Sequence, residues 1–194
     1  MNLRGALSSR NFRLLVGCDV MSMTGTAMAT VAVPFAVLRS GGSASDIGFV
    51  AVSGLVPTIV FLLLGGVVAD RLPRQRVMVL ANVVQGAMQA AFALLVLTGR
   101  AQLYEMMLLT AGRGVAFGFY MPAAQGLLPQ TVAATELASA NAIRRLGLNA
   151  AQISGAAFGG IVIAVAGPGW GLVGDAASYA AAAALRTPGR SCTS

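Results

Sequence analysis

Four ionisable residues, Asp19, Glu105, Arg113 and Asp175, stand inside long apolar stretches of the chain. A charge is costly to hold in an apolar medium, so an ionisable residue there usually marks a solute path, a proton relay or a ligand counter-ion. Arg113 needs a compensating anion or a water-filled cavity. Asp19, Glu105 and Asp175 are the acidic candidates within the apolar stretches, and sequence does not choose between them. A carboxylate beside a guanidinium can take up a proton when the pair is disturbed, because the cation lowers its pKa while desolvation raises it. Ion pairing and proton uptake are therefore the chemistry on offer. Metal and disulfide chemistry are not: histidine is absent and there are two cysteines. No nucleophile–base set is visible. A phosphate-binding loop of the Gly-x-x-x-x-Gly-Lys type is excluded because the chain has no lysine.

Uncharged polar residues accompany these groups at helical spacing. Asp19, Ser22, Thr26 and Thr30 are separated by 3, 4 and 4 positions, which places them on one face of a helix. Asn82, Gln85 and Gln89 repeat the pattern, as do Asn141, Arg145, Asn149 and Gln152, and Asp175 with Ser178. Glu105 and Arg113 share a face about 12 Å apart along the helix axis. Such stripes can line an aqueous path, with Thr26, Thr30, Asn149 and Gln152 as cavity-lining candidates. They can equally hydrogen-bond one helix to the next. Glu105 stands near the end of its stretch and could reach lipid headgroups instead. Gly155 and Gly159 form a GxxxG followed by Gly160, which predicts close helix packing.

The elements that must hold these residues follow from composition. Of 194 residues, 57% are hydrophobic and 10% charged. A soluble domain has roughly 25% charged residues, so this material cannot build a soluble surface. The expectation is an all-α integral membrane protein. Apolar runs at residues 14–38, 47–69, 77–98, 101–128, 146–166 and 169–185 predict six transmembrane helices. The last is short and leans on an alanine tract. The runs are continuous rather than alternating, which excludes a β-barrel. The first run is too long for the apolar core of a cleaved signal peptide and contains Asp19. Residues 1–186 form one membrane domain and 187–194 a polar tail.

All thirteen basic residues are arginines. Ten fall on one side of the expected spans: Arg4, Arg10 and Arg13; Arg71, Arg74 and Arg76; Arg144 and Arg145; Arg186 and Arg190. Arg39 and Arg100 fall on the other. The positive-inside rule then puts both termini in the cytoplasm, in a multi-pass protein of the plasma (inner) membrane. Arg144 and Arg145 are expected to be topology anchors. The net charge of +7 thus has a topological cause. The arginines are divided among separate segments without interleaved aromatics, so the lipid bilayer is the expected partner and nucleic acid is not.

The turn between the second and third runs reads Gly66-Val-Val-Ala-Asp70-Arg71-Leu-Pro-Arg74-Gln-Arg76. It resembles the Gly-x-x-x-Asp-Arg-x-Gly-Arg-Arg signature loop of the major facilitator superfamily, with Pro73 where glycine is usual. Arg113 with Gly114 resembles the family's fourth-helix arginine motif, linked in the family to proton transfer. The segment from Gly155 through Gly159 and Gly160 is similar to the antiporter motif, with Ala156 in place of proline. Pro122 to Pro129, Ala140-Asn141-Ala142 and Asp175 to Tyr179 resemble the bacterial enterobactin and macrolide exporter branch.

The resemblance implies a fold of twelve helices in two halves, each half being two inverted three-helix repeats, with the solute site between the halves. This chain corresponds to the first half. An early stop or frameshift in a longer gene, or a fragment, would account for that. The function implied is efflux of small molecules by a secondary transporter. Proton coupling is possible, no cofactor is expected, and the chain is not expected to be an enzyme. A lone half would need a homodimer or a separate C-terminal half. The alternative is a non-transporting fragment or an assembly or regulatory partner of another transporter. An ATP-driven exporter is disfavoured by the short loops. Few fixed charges in the cavity suggest an amphipathic or cationic substrate.

Overall fold

The computed structural model describes residues 10–127 and 137–185, apart from the side chains of residues 10, 11 and 67–71. The expected tail at 187–194 lies outside the described residues. Among these, six α-helices follow one another: α1 (Arg10–Arg39), α2 (Ala44–Arg71), α3 (Arg74–Leu97), α4 (Leu103–Leu127), α5 (Leu137–Ala166) and α6 (Pro168–Leu185).

The helix ends are set by local chemistry. Gly41, Gly99 and Gly167, just beyond α1, α3 and α5, have positive φ, which an L side chain adopts only with strain. At Gly167 (φ 94°) the backbone N–H still reaches the Ile163 carbonyl at 3.0 Å, so one residue separates α5 from α6. Pro168 opens α6, where its missing N–H costs nothing. At the start of α2, the Ser43 backbone N–H and hydroxyl donate to Asp46 Oδ2 at 2.7 and 2.8 Å, a capping box. Glu105 plays the same part for α4, accepting from the Gln102 backbone N–H at 3.1 Å.

Small and polar residues are frequent in the interior, beside a few large side chains such as Phe12, Met78, Phe92, Met106 and Leu172, and the exterior is rich in large apolar ones. Ala29, Ala32, Ala36, Ala123 and Ala140 are fully buried, whereas Leu63, Leu108, Ile153 and Val165 are among the most exposed side chains. Water would drive the opposite arrangement. A bilayer permits it, because lipid tails are as apolar as leucine and helices then associate through close packing and hydrogen bonds.

Among the described residues, four helices are long and apolar enough to cross a membrane: α1 over Phe12–Arg39, α2 over Ala44–Gly66, α3 over Arg74–Leu97 and α5 over Leu137–Ala166. α4 and α6 fall short of that measure, so the six expected spans are not equivalent. The reason lies in their residues: α4 carries Glu105, Arg113 and a series of glycines, and α6 carries Asp175 and an alanine tract.

Apart from α3 and α4, neighbours in sequence are not the main neighbours in space. α4 packs most extensively on α2 and also on α3; α1 packs on α5 and α6; α3 packs on α6. Glycines permit the closest crossings. A Cβ on Gly118 of α4 would lie 2.9 Å from the Phe61 backbone carbon of α2, and one on Gly65 would lie 3.0 Å from Phe119 Cα. Thr58 of α2 donates to the Gly114 carbonyl at 3.1 Å across this crossing. On the opposite flank a Cβ on Gly155 would stand 2.5 Å from the Thr24 carbonyl oxygen, and one on Gly159 2.8 Å from Met28 Cα. Gly160 meets nothing within 4 Å and takes no part in this crossing, contrary to the expectation from its sequence.

Candidate functional site

Two polar clusters hang on the two helices that pack through the bundle, α1 and α4. The first joins α1, α4 and α5. Asp19, 4% exposed, accepts from Arg144 Nη2 at 2.7 Å and Nε at 2.8 Å, and its other oxygen accepts from the Tyr120 hydroxyl at 2.7 Å. The second joins α1, α3, α4 and α6. Arg113 Nη1 donates to Gln89 Oε1 at 2.7 Å and to Asp175 Oδ2 at 3.3 Å. The Thr26 hydroxyl lies 2.8 Å from the Tyr179 hydroxyl and 3.5 Å from Asp175 Oδ1. Asp175 is completely buried, so this carboxylate depends on its partners rather than on water.

Between the clusters lies a cavity of about 610 Å³. α1 contributes Asp19, Ser22, Met23 and Thr26; α3 contributes Asn82 and Gln85; α4 contributes Phe117, Tyr120, Met121 and Gln125. α5 contributes Asn141, Arg144, Arg145, Leu148, Asn149 and Gln152, and α6 contributes Tyr179. These are the leading parts of α1, α3 and α5 and the trailing parts of α4 and α6, so the cavity occupies the arginine-rich end of the bundle. Its wall mixes amides and hydroxyls with methionine, leucine and phenylalanine. Such a wall can hold a solute with both apolar surface and hydrogen-bonding groups. Asn82 and Ser22 carry side-chain atoms that are buried and find no partner among the described residues.

The ionisable residues expected to act together separate into different roles. Arg113 pairs with Asp175, and Asp19 with Arg144. Glu105 joins neither, being occupied at the start of α4. Thr26, Asn149 and Gln152 line the cavity; Thr30 does not, and its hydroxyl bonds back to the Thr26 carbonyl at 2.9 Å. Arg144 and Arg145 stand within α5, not in a loop before it, because that helix begins at Leu137. Arg144 is therefore an ion-pair partner rather than a plain topology anchor. Of the turn residues, Arg74 donates to the Gly126 carbonyl near the end of α4, and Arg76 is exposed. Gly66 meets nothing within 4 Å, and the side chains of Asp70 and Arg71 lie outside the described residues.

Sequence reasoning missed Tyr120, Tyr179 and Phe117. Aromatic residues in an apolar run carry no signal by themselves. Tyr179 lies four positions after Asp175 on the same face of α6, which was the available hint.

Comparison with known proteins decides the family. Residues 5–190 match the family described as transmembrane secretion effector, a branch of the major facilitator superfamily. The chain belongs to this family. Two relatives show the same kinship: the multidrug efflux pump Tap of Mycolicibacterium fortuitum is 32% identical over 159 residues, covering 79% of this chain and 39% of the relative. Tap of Mycobacterium tuberculosis (strain ATCC 25618 / H37Rv) is 31% identical over 159 residues, covering 79% and 38%. The chain thus spans about two fifths of the length of the curated relatives it matches. Family membership and the inverted distribution of apolar residues together make this a multi-pass membrane protein of a transporter family.

Proposed function

We propose that the chain supplies one six-helix wall of a secondary efflux transporter, with the cavity as its share of the solute path. The observation that carries this is the cavity itself, lined by charged, polar and apolar side chains and placed inside a bundle whose outer surface suits lipid. In the family's mechanism a second six-helix unit rocks against the first around a site near the midplane. That unit would be a C-terminal half or a second copy of this chain. The packing pattern supports two inverted three-helix repeats. Exchanging α1 with α4, α2 with α5 and α3 with α6 converts the α1–α5 contact into α4–α2 and the α1–α6 contact into α4–α3, and leaves α3–α6 unchanged.

The arginine-rich end would face the cytoplasm of a bacterial cell, with both termini there, so the cavity would be open to cytoplasmic solutes. Proton coupling would use Asp19. Protonation would release Arg144, and the freed guanidinium would let α5 shift relative to α1. The Arg113–Asp175 pair is better placed to hold α3, α4 and α6 together than to exchange with solvent. An efflux assay tests the proposal. Cells expressing the protein should accumulate less of an amphipathic dye than cells carrying empty vector, and Asp19→Asn should abolish the pH dependence of that difference. Equal accumulation, with the protein verified in the membrane, would contradict it.

A further inference from the structure

The charges along the cavity do not cancel. One carboxylate and two guanidiniums line it among the described residues: Asp19, Arg144 and Arg145. Asp19 is saturated, with two bonds from Arg144 on one oxygen and the Tyr120 hydroxyl on the other. A cationic solute would have to displace a guanidinium already held at 2.7 Å to reach it. Arg145 is the next residue but points about 100° further round the helix. It is exposed, lines the same cavity, and has no hydrogen bond or ion pair among the described residues. Asn149, one turn further along on the same face, adds an exposed amide. On the same cavity wall, the Phe117 ring is exposed and stacks on Tyr120 with centroids 6.4 Å apart and planes 13° from parallel.

From this we infer that the cavity selects solutes with a flat apolar body and an acidic or strongly hydrogen-bond-accepting group, and that Arg145 is the residue that sets this preference. The inference rests on the cavity being the solute path proposed above; of the expected amphipathic or cationic substrate it keeps the amphipathic character and reverses the charge. The body would lie against Phe117 and the acidic group would meet Arg145 and Asn149. Electrostatic complementarity of this kind decides between partners more than it sets absolute affinity.

Two xanthene dyes of similar shape and opposite charge, fluorescein and rhodamine 6G, test it. Their binding to the chain in nanodiscs of zwitterionic lipid is read by fluorescence anisotropy at low ionic strength, with empty nanodiscs as the blank. Fluorescein should bind about two- to fivefold more tightly than rhodamine 6G, the range expected for one partly exposed charge pair. Arg145→Lys should keep most of the preference, Arg145→Gln should erase it, and Arg145→Glu should invert it. The inversion guards against misfolding, since a collapsed cavity cannot gain affinity for the cation. Tighter binding of rhodamine 6G to the native chain, or a ratio indifferent to all three substitutions, would overturn the inference and leave the cavity as a solute path. Failure of both dyes to bind would remove the cavity reading along with it.

Discussion

Arg113 and Asp175 are the pair whose separation should cost most. Asp175 is fully buried, and Arg113 has Gln89 as its other partner. Removing one member of such a pair leaves the other uncompensated, at about 3–5 kcal/mol. Asp175→Ala should therefore lower the melting temperature in detergent sharply. The double change Arg113→Met with Asp175→Leu should recover most of the loss, since replacing a buried pair by apolar residues is often neutral. A double variant as unstable as the single one would show that the pair does more than neutralise itself. Spacing marked Asp19, Arg113 and Asp175 as unusual, because a charge in an apolar run is visible in one dimension. Which cation meets which anion was not visible: the partners lie 125 and 62 positions apart, a distance set by packing rather than by periodicity.

At the scale of helices, glycine separates contact from coincidence. Gly155 and Gly160 look alike in sequence, yet a Cβ on Gly155 would meet the Thr24 carbonyl oxygen at 2.5 Å and one on Gly160 would meet nothing within 4 Å. Gly155→Ala should push α5 away from α1 at about 1–3 kcal/mol, the usual cost of overpacking. Gly160→Ala should be neutral or stabilising by up to about 1 kcal/mol, because alanine is the better helix former. Thermal unfolding of the two variants side by side checks this, and equal effects would contradict the packing described. The existence of six helices was legible because the apolar runs hold few charges and each is flanked by a charged residue at one end or both. The start of α5 was not. Charges usually bound a membrane run, so Arg144 and Arg145 read as a boundary, whereas α5 begins at Leu137 and carries both toward the cavity. The α2–α4 crossing was also hidden. Its glycines Gly54, Gly65, Gly114 and Gly118 fall on two helices, and sequence gives no reason to pair those two.

At the scale of the whole molecule, a cavity lined by charged and polar as well as apolar side chains lies inside a bundle with an apolar outer surface. Adjacent positions on α5 separate the two environments: Gln152 lines the cavity, while Ile153 is 74% exposed and absent from the cavity lining. In a background with Cys18→Ala and Cys192→Ser, a single cysteine at each position reports its surroundings through reaction with a membrane-impermeant maleimide. Thiolate formation needs water, so a lipid-facing thiol reacts slowly. Inside-out membrane vesicles, which present the cytoplasmic face, should label Gln152→Cys at least about tenfold faster than Ile153→Cys, equivalent to roughly 1.4 kcal/mol of difference in access. Equal rates at the two positions, or faster labelling of Ile153→Cys, would contradict the cavity and the solute path built on it.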